Sequence, residues 1–147
     1  NQDEAMSMAD RLGVLAKGKI LQLDLPKNIY DKPCSKEVAK LIGIPLINLV
    51  EGKSLNGIFY HKDLPPIPCT FKDSDKVTMA IRPEHVIRDK KGFIAVLERI
   101  ESKGFETIYY FRRGYLLLKS RNFKDNICNI SDKVGINIDH EKTLFYK

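Results

Sequence analysis

The residues best able to do chemistry form a few small groups along the 147-residue chain. Gly13-Val14-Leu15-Ala16-Lys17-Gly18-Lys19-Ile20 matches the phosphate-binding pattern G-x-x-x-x-G-K-[ST] in all but its last position. In such a loop a Ser or Thr hydroxyl ligates Mg²⁺, and Ile20 has no oxygen to offer. A helix should follow the loop, yet Ile20-Leu21-Gln22-Leu23 reads as strand. A hairpin turn that needs glycine accounts for the same residues, so no nucleotide site is assigned. The three histidines, His61, His85 and His140, have no metal-ligand spacing, and no Ser/His/Asp or Cys/His arrangement is readable. Catalytic, cofactor-binding and metal-binding residues are therefore all expected to be absent here.

Two further groups point to contacts rather than catalysis. Ile81-Arg82-Pro83-Glu84-His85 places a proline just past a strand, where it ends the ladder. Arg82 and Glu84 are two apart and share a face if the chain stays extended, which makes a surface ion pair at a strand end. Tyr109-Tyr110-Phe111-Arg112-Arg113-Gly114-Tyr115, with Lys119, Arg121, Phe123 and Lys124 beyond, alternates aromatic and basic side chains. On an open barrel that mixture can stack bases and follow phosphates. A plain hairpin, with half-buried aromatics and Arg112-Arg113 solvated at its tip, explains it without a ligand.

The elements that position these groups change character near residue 43. Ala5, Met8, Ala9 and Leu12 have helical spacing, and Gly13 supplies a stop. Two short apolar runs around Lys17-Gly18 predict a hairpin. Pro26 starts a short helix that ends by Pro33, and Val38, Ala39, Leu41 and Ile42 describe another, closed by Gly43. From residue 44 the period becomes two, with Val77, Met79 and Ile81 the clearest case. Strands are expected over 47–50, 57–60, 77–81, 93–100, 107–111, 116–119, 134–138 and 143–146. Breaks are expected at Gly52, Lys62-Asp63, Asp73-Ser74-Asp75, Lys90-Lys91-Gly92, Arg113-Gly114 and Ser131-Asp132. Short strands without a long helix among them predict a small barrel or sandwich. The expected division is a helical and hairpin tail over 1–43 and a β-domain over 44–147.

Composition narrows the class further. Hydrophobic residues make up 43% and charged residues 30%, enough for a globular core. No apolar run approaches the roughly twenty residues of a membrane-spanning helix. The net charge is +6, too modest to indicate a nucleic-acid protein by itself. Cys34, Cys69 and Cys128 lie far apart and odd in number, which fits a reducing cytosol better than a disulfide scaffold.

These residues, taken in order, resemble a known family. Gln2 to Leu12, then Val14-Leu15 and Gly18-Lys19-Ile20, look like the segment after the switch histidine of ATP-binding cassette (ABC) transporter ATPases. Pro26-Lys27-Asn28-Ile29-Tyr30-Asp31-Lys32-Pro33 resembles that family's P-x-x-[IL]-Y-x-x-P, and Val38-Ala39 to Ile42-Gly43 its F-V-A-x-F-I-G. Ile81-Arg82-Pro83-Glu84-His85 resembles the G-[IL]-R-P-E-[HD] of the accessory β-domain in maltose- and multiple-sugar-type importer ATPases. Gly104-Phe105-Glu106-Thr107 looks like the G-x-E-T of that domain, and Leu144-Phe145 fits its closing strand.

The resemblance implies a mainly β, OB-fold-like barrel, the transport-associated OB (TOBE) domain, preceded by the tail of a nucleotide-binding domain. It implies a regulatory and dimerising region of an ATPase that energises solute import, with no catalysis expected here because the phosphate loop, signature motif, catalytic carboxylate and switch histidine would lie upstream of Asn1. ATP and Mg²⁺ would belong to the longer protein, with no cofactor in this chain. Its implied partners are a second ATPase copy and membrane permease subunits, at the cytoplasmic face of the membrane, and no nucleic acid. The implied contact surface comprises Arg82, Pro83, Glu84, Gly104, Phe105 and Glu106. Two alternatives stay open: a TOBE-like module binding a small oxyanion or other solute, and an OB-fold nucleic-acid binder.

Overall fold

The computed structural model describes residues 1–121 and 129–147, so Phe123, Lys124 and Cys128 lie outside the described residues. The chain divides into two compact units, Asn1–Ile47 with Tyr146, and Asn48–Phe145 with Lys147.

The first unit begins with helix α1 (Gln2–Met8), whose first turn is capped by the Asn1 side chain accepting from the Asp3 N–H. The helix is shorter than its apolar spacing predicts. Ala9 is already extended and Leu12 opens strand β1 (Leu12–Ala16) instead. As a strand residue Leu12 packs on the buried cluster Val14, Ile29, Val38 and Ile42, and this packing outweighs a weak helical preference. Strand β2 (Lys19–Asp24) pairs antiparallel with β1. Lys17 (φ 50°) and Gly18 (φ 73°) are both left-handed between them, the signature of a type I′ turn. Lys17-Gly18 thus builds a hairpin, and Ile20 sits in a strand with its side chain exposed. Helix α2 (Pro26–Asp31) starts on its proline, and α3 (Lys36–Leu41) is capped by Ser35 accepting from the Val38 N–H at 3.2 Å.

The second unit is mainly β. It contains β3 (Asn48–Leu55), β4 (Ile58–Tyr60), β5 (Ile67–Pro68), β6 (Ser74–Ile81), β7 (Val86–Ser102), β8 (Thr107–Arg113), β9 (Leu116–Arg121), β10 (Lys133–Ile138) and β11 (Leu144–Tyr146). They form a five-stranded sheet, β11-β6-β3-β4-β5, and a four-stranded sheet, β10-β7-β8-β9, with antiparallel pairing throughout the registers described. The sheets curl as an OB-like small barrel requires, around Phe59, Ile67, Val77, Met79, Ile81, Leu97, Phe111, Leu118 and Ile136.

Three sequence expectations are corrected by pairing. Gly52 lies inside β3, where a register shift between Gly52 and Ser54 marks a bulge and not a break. Lys90-Lys91-Gly92 lies inside the long β7, but the ladder to β10 jumps there: Gly135 faces Ile94 while Ile136 faces Arg88. Ser74 belongs to β6, so only Asp73 precedes that strand. The short β5 was not anticipated, because prolines flank Ile67. It is an edge strand, where proline is tolerated. In β6 the expected alternation is also lost, since Thr78 and Ala80 are as buried as Val77, Met79 and Ile81.

Candidate functional site

Both segments expected to make contacts converge on the end of β9 in the second unit. Strand β6 stops at Ile81, and Pro83 opens a 3₁₀ turn, Pro83–His85, closed by the His85 N–H donating to the Arg82 carbonyl at 2.9 Å. Proline fixes that backbone direction, and the turn hands the chain to β7 at Val86. Arg82 and Glu84 therefore do not lie along an extended, exposed strand end. Arg82 is only 3% exposed, Pro83 is buried and Glu84 is half-buried.

The β7–β8 turn has the opposite character. The Lys103 N–H donates to the Glu106 carbonyl at 2.8 Å, and Gly104 takes φ 81° to close the loop. Within four residues one side chain turns in and one turns out. Glu106 is 7% exposed and its carboxylate accepts from Arg121 Nε at 2.5 Å; Phe105 is 86% exposed. Charge-assisted anchoring of Glu106 holds the loop that presents Phe105.

Strand β9 ties these segments together through three consecutive residues. The Lys119 N–H donates to Asn48 Oδ1 at 2.8 Å, while Asn48 Nδ2 donates to the Lys119 carbonyl at 2.9 Å. Ser120 Oγ, fully buried, donates to the Val86 carbonyl at 2.6 Å, directly after the 3₁₀ turn. Arg121 then takes Glu106. Asn48 and Ser120 were missed in the sequence. Asn48 between apolar neighbours was a visible signal of a buried polar group, but its partner is 71 residues away.

The adjoining sheet surface is electrostatically closed on itself. Arg112 forms a two-pronged pair with Glu98, both contacts at 3.1 Å. Glu101 accepts from the Tyr110 hydroxyl at 2.9 Å and pairs with Arg99 and Lys103. That hydroxyl, more than the two cations, holds the Glu101 carboxyl below its usual range. Arg99 stacks on the Tyr110 ring with 3.9 Å to the centroid.

The expected solvated tip is corrected as well. Arg113 Nε donates to the Asp63 carbonyl and Nη1 to the Ile94 carbonyl, both at 2.8 Å, and the guanidinium lies over Phe93. Tyr109 and Phe111 are core residues, so their rings are not available to stack bases, although Tyr115 is exposed with Lys62 above it. The described residues contain no group of three or more His, Cys, Asp or Glu side chains arranged to hold a metal ion. No helix among them is long and apolar enough to cross a membrane.

The first unit carries a groove of about 280 Å³, lined by Ala5, Met6, Leu12, Leu15, Leu41 and Ile42 among others. Leu15, Ile20, Leu23 and Leu25 are each more than half exposed in the same unit. This is a large apolar exposure for fewer than fifty residues.

No family model matches the chain. It is similar to the sn-glycerol-3-phosphate import ATP-binding protein UgpC of Psychromonas ingrahamii, with 35% identity over 113 residues, covering 75% of this chain and 30% of that protein. The protein of the same name from Bordetella parapertussis is 30% identical over 157 aligned positions, covering 99% of this chain and 43% of that protein. The corresponding protein of Bordetella avium is 29% identical over the same coverage. The chain thus spans less than half the length of these curated relatives.

Proposed function

From the premise that this chain belongs to the ABC importer ATP-binding proteins, we propose that it is the C-terminal region of such a subunit. Residues 1–43 are the tail of the nucleotide-binding domain, and 44–147 form an accessory TOBE-type domain for subunit contact and regulation. The longer protein hydrolyses Mg-ATP to energise uptake of a small sugar-type or polyol solute. It works with a second ATPase copy and membrane permease subunits, peripheral to the cytoplasmic face of the membrane. ATP and Mg²⁺ are bound by segments outside this chain.

Relatedness over nearly the whole chain supports the parentage. The apolar groove and exposed leucines of the first unit support it too, because they suit a surface that the rest of a nucleotide-binding domain would cover. The contact role rests on one observation: Phe105 is held outward on a turn whose neighbour Glu106 is anchored to Arg121. Exposed aromatics on firm supports are the usual anchors of protein interfaces. In this reading Gly104 and Phe105 make the contact, while Arg82 and Pro83 are buried.

Sedimentation of the chain across a concentration series tests the contact role. A weak dimer is expected, since symmetric pairs are the commonest assemblies and much of the full contact area is outside this chain. Phe105→Ser should weaken it by about tenfold or more, the loss of an aromatic anchor. A strict monomer at millimolar concentration, or a dimer indifferent to the substitution, contradicts it.

A further inference from the structure

The turn between β3 and β4 carries the chain's single asparagine–glycine step, Asn56-Gly57; every other asparagine precedes Gln, Ile, Leu or Phe. Leu55 pairs with Ile58, so these two residues alone make the turn. Asn56 (φ 52°) and Gly57 (φ 76°) are both left-handed, a type I′ pair. Asn56 is exposed, and its N–H donates to Asp73 Oδ1 at 2.9 Å. The Gly57 N–H donates to the Lys72 carbonyl at 2.9 Å, and the Gly57 carbonyl accepts from the Cys69 N–H at 2.8 Å. The segment between β5 and β6 thus fastens both residues of the turn.

We propose that Asn56 is a deamidation site gated by the fold, shielded while the β3–β4 turn is closed and converted when it opens. In the open chain the Gly57 nitrogen gives its proton to solvent base and attacks Asn56 Cγ, forming a five-membered succinimide. The bond from Cγ to the side-chain nitrogen breaks, and ammonia departs with that electron pair and a returned proton. Water then adds to either ring carbonyl and opens the ring to an aspartyl or isoaspartyl link. One water enters and one ammonia leaves, with no oxidant or reductant. Glycine permits the attack because no side chain screens its nitrogen. The closed turn forbids it in two ways. The first residue of a type I′ turn has ψ of about +30°, which holds the next nitrogen away from the side of Cα that carries Cβ. The Gly57 N–H must also give up its bond to Lys72 before it can lose its proton. Conversion then opposes reclosure. An isoaspartyl link lengthens a two-residue turn, and an aspartyl product places a second carboxylate beside that of Asp73.

The test is to hold the 147-residue chain at mildly alkaline pH, folded and in denaturing urea, and follow each asparagine by peptide mass spectrometry with the aspartyl and isoaspartyl forms separated. In urea Asn56 should convert at least about tenfold faster than Asn28 and Asn137, which precede isoleucine. In the folded chain it should convert at least about tenfold more slowly than in urea, because only the open fraction reacts. Below the unfolding midpoint, added urea should raise the conversion rate in step with hydrogen exchange of the Gly57 amide. Conversion as fast in the folded chain as in urea overturns the proposal. So does a rate that stays flat while Gly57 exchange rises, since the closed turn would then be the reacting form. A urea sample in which Asn56 is no faster than Asn28 overturns the assignment of the site itself.

Discussion

Asn48 bridges the two sheets of the second unit with a reciprocal pair of hydrogen bonds to the Lys119 backbone, at 4% exposure. Asn48→Leu would leave a Lys119 N–H and C=O without partners at a site where water has little access. The expected cost is about 2–4 kcal/mol, from two unsatisfied backbone groups, measured by urea unfolding. At Glu101 the expected effect is on pH dependence. Its carboxyl is held below the ordinary value of 4.5, first by the Tyr110 hydroxyl. Such a group stabilises the fold above its unfolded value, and that stability is lost as pH falls through the lowered folded value. Tyr110→Phe should therefore reduce the drop in stability between roughly pH 5 and pH 3, followed by unfolding at several pH values. At this scale the sequence was partly legible. The outward Phe105 was readable from a large apolar side chain beside glycine, whereas the inward Arg82 and Glu106 were not. Whether a charged residue is buried depends on partners such as Arg121, which is remote in sequence from Glu106.

At the scale of elements, β7 and β10 make the sharpest demand on the chain. A Cβ added at Gly92 would lie 2.1 Å from the Ile136 carbonyl oxygen, and one at Gly135 would lie 2.4 Å from that of Asp89. The backbones meet where the ladder skips from Ile94 to Arg88. Gly92→Ala should cost more than about 2 kcal/mol, because backbone and not a flexible side chain must move. Gly104→Ala meets open space and carries only the left-handed penalty of about 1 kcal/mol. Comparing the two by denaturant unfolding separates close approach from backbone strain; equal effects would contradict the packing described here. The predicted break at Lys90-Lys91-Gly92 had a physical basis, since the register does jump there. Composition marks an irregularity well, but it cannot distinguish a loop from a strand that continues past a bulge. The end of α1 at Met8 makes the same point, because Leu12 took its place from the core formed by residues 14 to 42.

At the scale of the whole molecule, the ordered series of short resemblances from Gln2 to Phe145 was the legible feature, and relatives aligned over 99% of the chain agree with it. The switch from helical to alternating periodicity marked the mainly β character of the second unit. The polar seam along β9 was not legible, because it exists only once the sheets have curled. We propose that this chain serves an importer ATPase through contacts and not through nucleotide chemistry. In the first unit, Lys17-Gly18 forms a type I′ turn, and Ile20 stands where a magnesium-ligating hydroxyl would be required. Calorimetric titration of the chain with Mg-ATP tests this most directly. The expected result is no saturable heat up to millimolar nucleotide. Micromolar binding at one site per chain, abolished by Lys19→Ala, would contradict it.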